Sequence, residues 1–158
     1  MLLFDRRSVF PVLAASLAAS CGFAPVYGTG DALRGQVRLG TPTSANAFAL
    51  VRALEFRLGA LEEPRFDLAV DVDLDEEGSV ITRTSEIDRF TITGRAAYVL
   101  TSLGGDAVTS GTSRASASYS ASSTPMATRA SRSDAQGRLM EMLADDIVAD
   151  LARAAATI

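Results

Sequence analysis

The sequence predicts an α+β fold, a two-layer sandwich in which two helices cover one face of a mainly antiparallel sheet of about four strands. Three observations predict it. Apolar residues from Ala47 to Leu61 recur at three- and four-residue spacings, those from Phe66 to Leu74 alternate strictly with polar ones, and the stretch after Pro125 returns to a helical period. Read in order the elements are strand, helix, three strands, helix, which puts both helices on one side of the sheet. A chain of 158 residues is of single-domain size.

The first segment reads as an address. Arg6 and Arg7 precede a short apolar run that ends in small residues, the pattern of a secretory signal over residues 1–20. The run holds about 13 residues where a bilayer needs about 20, so a spanning anchor is the poorer reading. Ala19-Ser20-Cys21 resembles a bacterial lipobox, with Leu17 one place earlier than the usual leucine. Cys21 is the only cysteine of the chain and is the expected site of lipid attachment, a diacylglycerol thioether with a further acyl chain such as palmitate on the freed amine. Each buried methylene contributes about 0.8 kcal/mol, so several chains anchor stably where one would not. An ordinary signal containing a stray small apolar residue is the alternative. Arg6-Arg7-Ser8-Val9-Phe10 fits a twin-arginine pattern as well as a Sec signal, which leaves the export route open. Gly22, following the cysteine, favours the outer membrane by its resemblance to enterobacterial lipoproteins. Residues 21–33, with Pro25, Gly28 and Gly30, read as a lipidated tether, and residues 34–158 as the folded domain.

Within that domain, residues 36–40 alternate as a short strand. Thr43 or Ser44 then caps a helix whose stripe is Ala47, Leu50, Val51, Leu54, Leu58 and Leu61, ending near Glu63 because Pro64 cannot continue it. From Phe66 the period is two: Phe66, Leu68, Val70, Val72 and Leu74 face one way, Asp67, Ala69, Asp71, Asp73 and Asp75 the other. Glu76-Glu77-Gly78-Ser79 is the expected turn, and a second long strand is expected from Val80 to Leu103, with a bulge between Ile87 and Phe90 where the apolar face changes. Residues 107–123, rich in Ala, Ser, Thr and Gly, read either as disordered or as a third strand; Ala115, Ala117, Tyr119 and Ala121 alternating with polar residues favour the strand. Thr124-Pro125 opens a long helix to about Ala156, with an interruption expected near Gly137 and a stripe of Gln136, Met140, Leu143, Ile147, Leu151 and Ala154.

Composition excludes several chemistries. There is no histidine, lysine or tryptophan, so no His-based nucleophilic triad and no His-ligated zinc or haem can be built. A net charge of −4 argues against nucleic acid as a partner. Asp71-x-Asp73-x-Asp75 fails as a calcium loop, because the sixth position is Glu76 and the twelfth is Thr82; a wet strand face explains the same acids. No metal, no cofactor and no enzymatic activity is expected. Arg83, Arg89 and Arg95 share parity with Thr91 and Thr93, and their planar guanidiniums suit an anionic lipid head group such as that of lipopolysaccharide. The competing reading is that they neutralise Asp67, Asp71 and Asp73 on the neighbouring strand.

Cys21-Gly22-Phe23-Ala24-Pro25-Val26-Tyr27-Gly28 resembles the start of mature alphaproteobacterial LptE lipoproteins. Ser85-Glu86-Ile87-Asp88-Arg89-Phe90, followed by Tyr98-Val99-Leu100, is similar to the family's central region. Ser118-Tyr119-Ser120 through Ala127, then Asp134-Ala135, Arg138-Leu139 and Leu143-Ala144-Asp145-Asp146-Ile147, is similar to its closing strand and helix. The resemblance implies a non-catalytic lipoprotein anchored on the periplasmic side of the outer membrane. It would plug and support assembly of the LptD β-barrel and take part in delivering lipopolysaccharide to the outer leaflet. An auxiliary lipoprotein of an envelope lipid ABC-type transporter is the alternative that the same anchor and fold would suit.

Overall fold

The computed structural model describes residues 33–81 and 87–156. Strand β1 is Val37–Leu39, helix α1 Ala45–Leu58, strand β2 Phe66–Ile81, strand β3 Ile87–Ser102, strand β4 Ala107–Ser120 and helix α2 Pro125–Ala155. The four strands lie in chain order in one sheet. β1 runs parallel to β2, Val37 opposite Phe66, because α1 carries the chain back between them. β2, β3 and β4 form an antiparallel meander. Together they make the expected α+β arrangement.

Ser44 caps α1: its backbone is extended and its hydroxyl accepts from the Ala47 N–H at 3.1 Å. The helix stops at Leu58 and not near Glu63. Gly59 takes φ 80°, a left-handed conformation that glycine adopts most readily, and its N–H closes on the Glu55 carbonyl at 2.9 Å. Pro64 is therefore not the terminator. Leu61 falls off the helical stripe and is half exposed.

β2 does not turn at Glu76. It continues to Ile81, so that Glu76, Glu77 and Gly78 pair with Ile92, Thr91 and Phe90. Val80 and Ile81 thus belong to β2 and not to the following strand. The acids are tolerated there because Glu76, on the helix-facing side, has partners: the Tyr119 hydroxyl donates to Glu76 Oε1 at 2.5 Å and Arg132 Nε to Oε2 at 2.8 Å. Two register shifts follow, between Gly78 and Val80 and between Val80 and Ile81, opposite Phe90, Arg89 and Ile87. They lie where the change of face predicts a bulge.

The small-residue segment is strand β4. α2 then runs unbroken for 31 residues, capped by Thr124 with Pro125 in the first turn, and passes through Gly137 without interruption. Gly137 faces open space, so its cost is the roughly 1 kcal/mol of an interior glycine and not a clash. Its buried stripe is Ala135, Leu139, Met140, Leu143, Ala144, Ile147 and Leu151; Gln136 is only half-buried.

The core is one cluster between the helices and the face of the sheet that carries the even-numbered residues of β2 and β3 and the odd-numbered residues of β4. Leu50 and Leu54 from α1, Leu68, Ile92 and Leu100 from the sheet, and Leu139, Leu143, Ile147 and Leu151 from α2 are fully buried. Truncating any of these leucines to alanine would cost about 2–5 kcal/mol. Gly94 sets how closely α2 approaches: a Cβ there would stand 3.1 Å from Leu139 Cδ2 and Leu143 Cδ1.

Candidate functional site

The side of the sheet away from the helices is built by the alternation already legible in the chain. On β2 it presents Asp67, Asp71, Asp73, Asp75 and Glu77, an acidic column. On β3 it presents Arg89, Thr91, Thr93, Arg95, Ala97 and Val99. On β4 it presents Ser120, Ser118, Ser116, Arg114, Thr112 and Ser110. The register joins these columns into rows: Glu77–Thr91–Ser118, Asp75–Thr93–Ser116, Asp73–Arg95–Arg114 and Asp71–Ala97–Thr112. Thr91 Oγ1 and Ser118 Oγ lie 3.1 Å apart in the first of them. Nothing in the two helices covers this face.

The arginines divide three ways. Arg83 lies outside the described residues. Arg89 and Arg95 share the open face, six residues apart on one strand, which separates their backbones by about 20 Å. They do not converge on one point. The neighbour of Arg95 is Arg114, directly opposite it on β4. Two like charges in direct cross-strand register repel, and Asp73 on the far side of Arg95 offsets only one of them. Sequence reading missed Arg114; its alternation with Ala115 and Ala117 marks its face, but only the strand register places it beside Arg95.

The aspartates are not neutralised as a set by these arginines. Asp67 is held by Arg38 of β1, with Nε to Oδ1 at 2.6 Å and Nη2 to Oδ2 at 2.8 Å. That hydrogen bond holds the Asp67 carboxyl below the usual carboxylate range and raises the Arg38 guanidinium. Asp71, Asp73 and Asp75 project in an open row, each about 7 Å from the next, too far apart to close on one ion. Among the described residues no three His, Cys, Asp or Glu side chains gather as a metal site. The arrangement suits surface recognition: hydroxyls and guanidiniums on a rigid sheet donate to anionic oxygens, while the acidic column keeps the face polar.

On the helix side, polar groups serve as ties. Ser113, the one buried polar residue among those described, donates to Asp146 Oδ2 at 3.2 Å. Arg57 joins the helices, reaching Asp145 at 2.6 Å and Glu141 at 2.7 Å. Among the described residues no helix is long and apolar enough to cross a membrane.

The family model LptE, described as lipopolysaccharide-assembly, matches residues 35–151, from the start of the sheet to the last core leucine of α2. The chain belongs to the LptE family. No curated protein matches it. Among solved structures, a protein designated a lipoprotein from Caulobacter crescentus shares the fold with a TM-score of 0.70 at 20% identity, covering 84% of this chain and 99% of that one. Rare lipoprotein B from Shewanella oneidensis gives 0.60 at 10% identity, covering 77% and 96%. A minor lipoprotein from Acinetobacter baumannii gives 0.55 at 15%, covering 75% and 89%. At these identities the likeness is one of fold. Membership of the LptE family assigns the chain to lipopolysaccharide assembly, in a family of non-catalytic lipoprotein assembly factors of the cell envelope.

Proposed function

We propose that this chain is an outer-membrane lipoprotein, anchored on the periplasmic side through lipid on Cys21, that plugs and supports assembly of the LptD β-barrel. In that place it takes part in delivering lipopolysaccharide to the outer leaflet. One observation carries the reading: the sheet offers a broad polar face that the domain's own helices leave uncovered, ending in a strand of Ser, Thr and Ala. Small polar side chains let such a wall lie close to the polar lumen of a barrel, which a large apolar face would not.

Lipopolysaccharide phosphates are the matching ligand chemistry for the arginines. Arg95, reinforced by Arg114, is the principal proposed contact; Arg89 and Arg83 are proposed further along the same hairpin. Two guanidiniums held in repulsive register gain more from a bridging phosphate than either would alone.

The test is purification of the tagged protein from detergent-solubilised membranes, with mass spectrometry of the intact chain and of what accompanies it. The expected result is a triacylated chain beginning at Cys21, with a stoichiometric LptD-type barrel. Recovery of an inner-membrane lipid transporter would replace this reading with the auxiliary one. An unlipidated chain free of any barrel would overturn both.

A further inference from the structure

A groove of about 1020 Å³ runs between α1 and the outer edge of β1, closed at one side by α2 around Gly137 and Met140. Its walls include Val37, Leu39, Phe48, Phe56 and Leu61. Phe56 is 86% exposed and Phe48 60%, eight residues apart on one side of α1, with Leu61 at 49% below them. An apolar, aromatic face of this kind on an edge strand is a place for another segment of chain.

We infer that the occupant is this protein's own residues 22–32, folded back against β1, so that the arm between lipid and domain is docked. Four observations favour it. First, the described chain begins at the mouth of the groove. Leu33 is buried in the core cluster that contains Leu58, the Gly35 N–H donates to the Leu58 carbonyl at 2.9 Å, and the Arg34 side chain packs over Gly59. Second, the length suffices. Eleven extended residues reach about 36 Å, against about 21 Å for the whole of α1.

Third, among the described residues β1 pairs with β2 alone, which leaves its other edge open. The Gln36 carbonyl accepts from the Phe66 N–H and the Gly40 N–H donates to the Leu68 carbonyl. The even-numbered residues therefore bond to β2, and the backbone groups of Val37 and Leu39 turn toward the groove. They are partners for the amides of an added segment. Fourth, the chemistry matches. Residues 22–30 carry no charge and contain Phe23, Val26 and Tyr27. The groove's rim sets Arg38 and Arg52 against Glu55 and Glu141, a balanced set that gives an anionic bilayer surface no net pull.

The docking itself stands apart from lipid attachment, but its consequence rests on the proposed anchor at Cys21: a docked arm fixes which face of the domain looks away from the membrane. Hydrogen exchange of the full chain tests it, in the detergent-purified protein and in Cys21→Ser without detergent. The intact mass reports lipidation separately, so the two readings fail independently. Amides of residues 23–28 are expected to exchange at least tenfold slower than in the free peptide. Phe56→Glu, a change at an exposed side chain, is expected to restore the free rate there and to leave α2 protected; Phe23→Ser is expected to do the same from the other partner. Free-chain exchange in the wild type would overturn the inference. So would protection that survives both substitutions, grows with protein concentration as a second copy would make it, or appears only with added vesicles.

Discussion

The Tyr98 hydroxyl, rising from the middle of β3, donates to Asp150 Oδ2 on α2 at 2.7 Å. The tyrosine is almost fully buried, and Asp150 is also paired with Arg153 on its own helix. Burial first, and the hydrogen bond to Asp150 second, push the Tyr98 phenol up to about 12. A phenol raised this far stabilises the fold fully below its unfolded value of about 10 and loses that contribution as pH climbs through 12. Ultraviolet titration of tyrosinate should therefore show Tyr98 ionising last, together with loss of helical circular dichroism. Tyr98→Phe should cost about 1–3 kcal/mol in urea unfolding at neutral pH and remove this alkaline limb. Ionisation near 10 without unfolding would contradict the contact.

Gly111 makes room for that tyrosine. It sits directly opposite Tyr98 on β4, and a Cβ at Gly111 would lie 2.5 Å from the Tyr98 hydroxyl oxygen and 2.8 Å from Cζ. The ring cannot swing aside cheaply because its hydroxyl is held at Asp150. Gly111→Ala should destabilise by about 1–3 kcal/mol. The double variant Gly111→Ala with Tyr98→Phe should fall short of the sum of the two single losses, since they share one contact. Strict additivity would show that the clash is relieved elsewhere.

Arg57 is the cation that joins the two helices. It meets Asp145 and Glu141 on α2 and donates to the Ala53 carbonyl at 2.9 Å on its own helix. Replacing it by Met keeps the aliphatic stem and should cost about 1 kcal/mol, because both carboxylates are well exposed. The hydrogen bond from Arg57 holds Asp145 below the usual carboxylate range. Its contribution is complete above about pH 5 and fades as pH falls through the lowered value. Acid unfolding of Arg57→Met should accordingly start from a lower plateau and fall less steeply. An identical pH profile would remove the pair from the stability of the sandwich.

Arg95 and Arg114 allow a test in which binding and stability move in different directions. Substituting both by Gln removes a cross-strand repulsion, so the melting temperature should hold or rise. Affinity for lipopolysaccharide should drop about tenfold or more if two charge-assisted contacts are lost. Arg89→Gln alone should have the smaller effect, since it stands well away from the pair. Unchanged affinity in the double variant would remove the open face as the phosphate site.

What was legible in the chain was whatever a period reveals. The alternation from Phe66 to Leu74 placed the wet and dry faces of β2, and Thr43-Ser44 and Thr124-Pro125 placed both helix starts, the structure choosing Ser44 of the first pair. Ends were harder. Gly59 terminates α1 through a backbone conformation that no hydrophobic pattern encodes, and Pro64 was the more conspicuous breaker. Glu76-Glu77-Gly78-Ser79 has the composition of a turn, yet Glu76 is held within β2 by Tyr119 and Arg132, residues 43 and 56 positions away. The candidate site followed the same division: parity placed Arg89 and Arg95 on the open face, whereas the pairing of Arg95 with Arg114 needed the register between strands.

The 31 residues of α2 follow the whole sheet in the chain, and they supply more of the fully buried leucines and isoleucines than α1 does. Until they arrive, the dry side of the meander and the inner side of α1 have too little to close against. A polypeptide still being made, or one clipped upstream of Leu139, exposes a greasy sheet with bare edges, the form most prone to stick to its neighbours. Quality control in the envelope would therefore have its surest handle at α2, and nicking there should clear the protein faster than damage to the turn between β3 and β4.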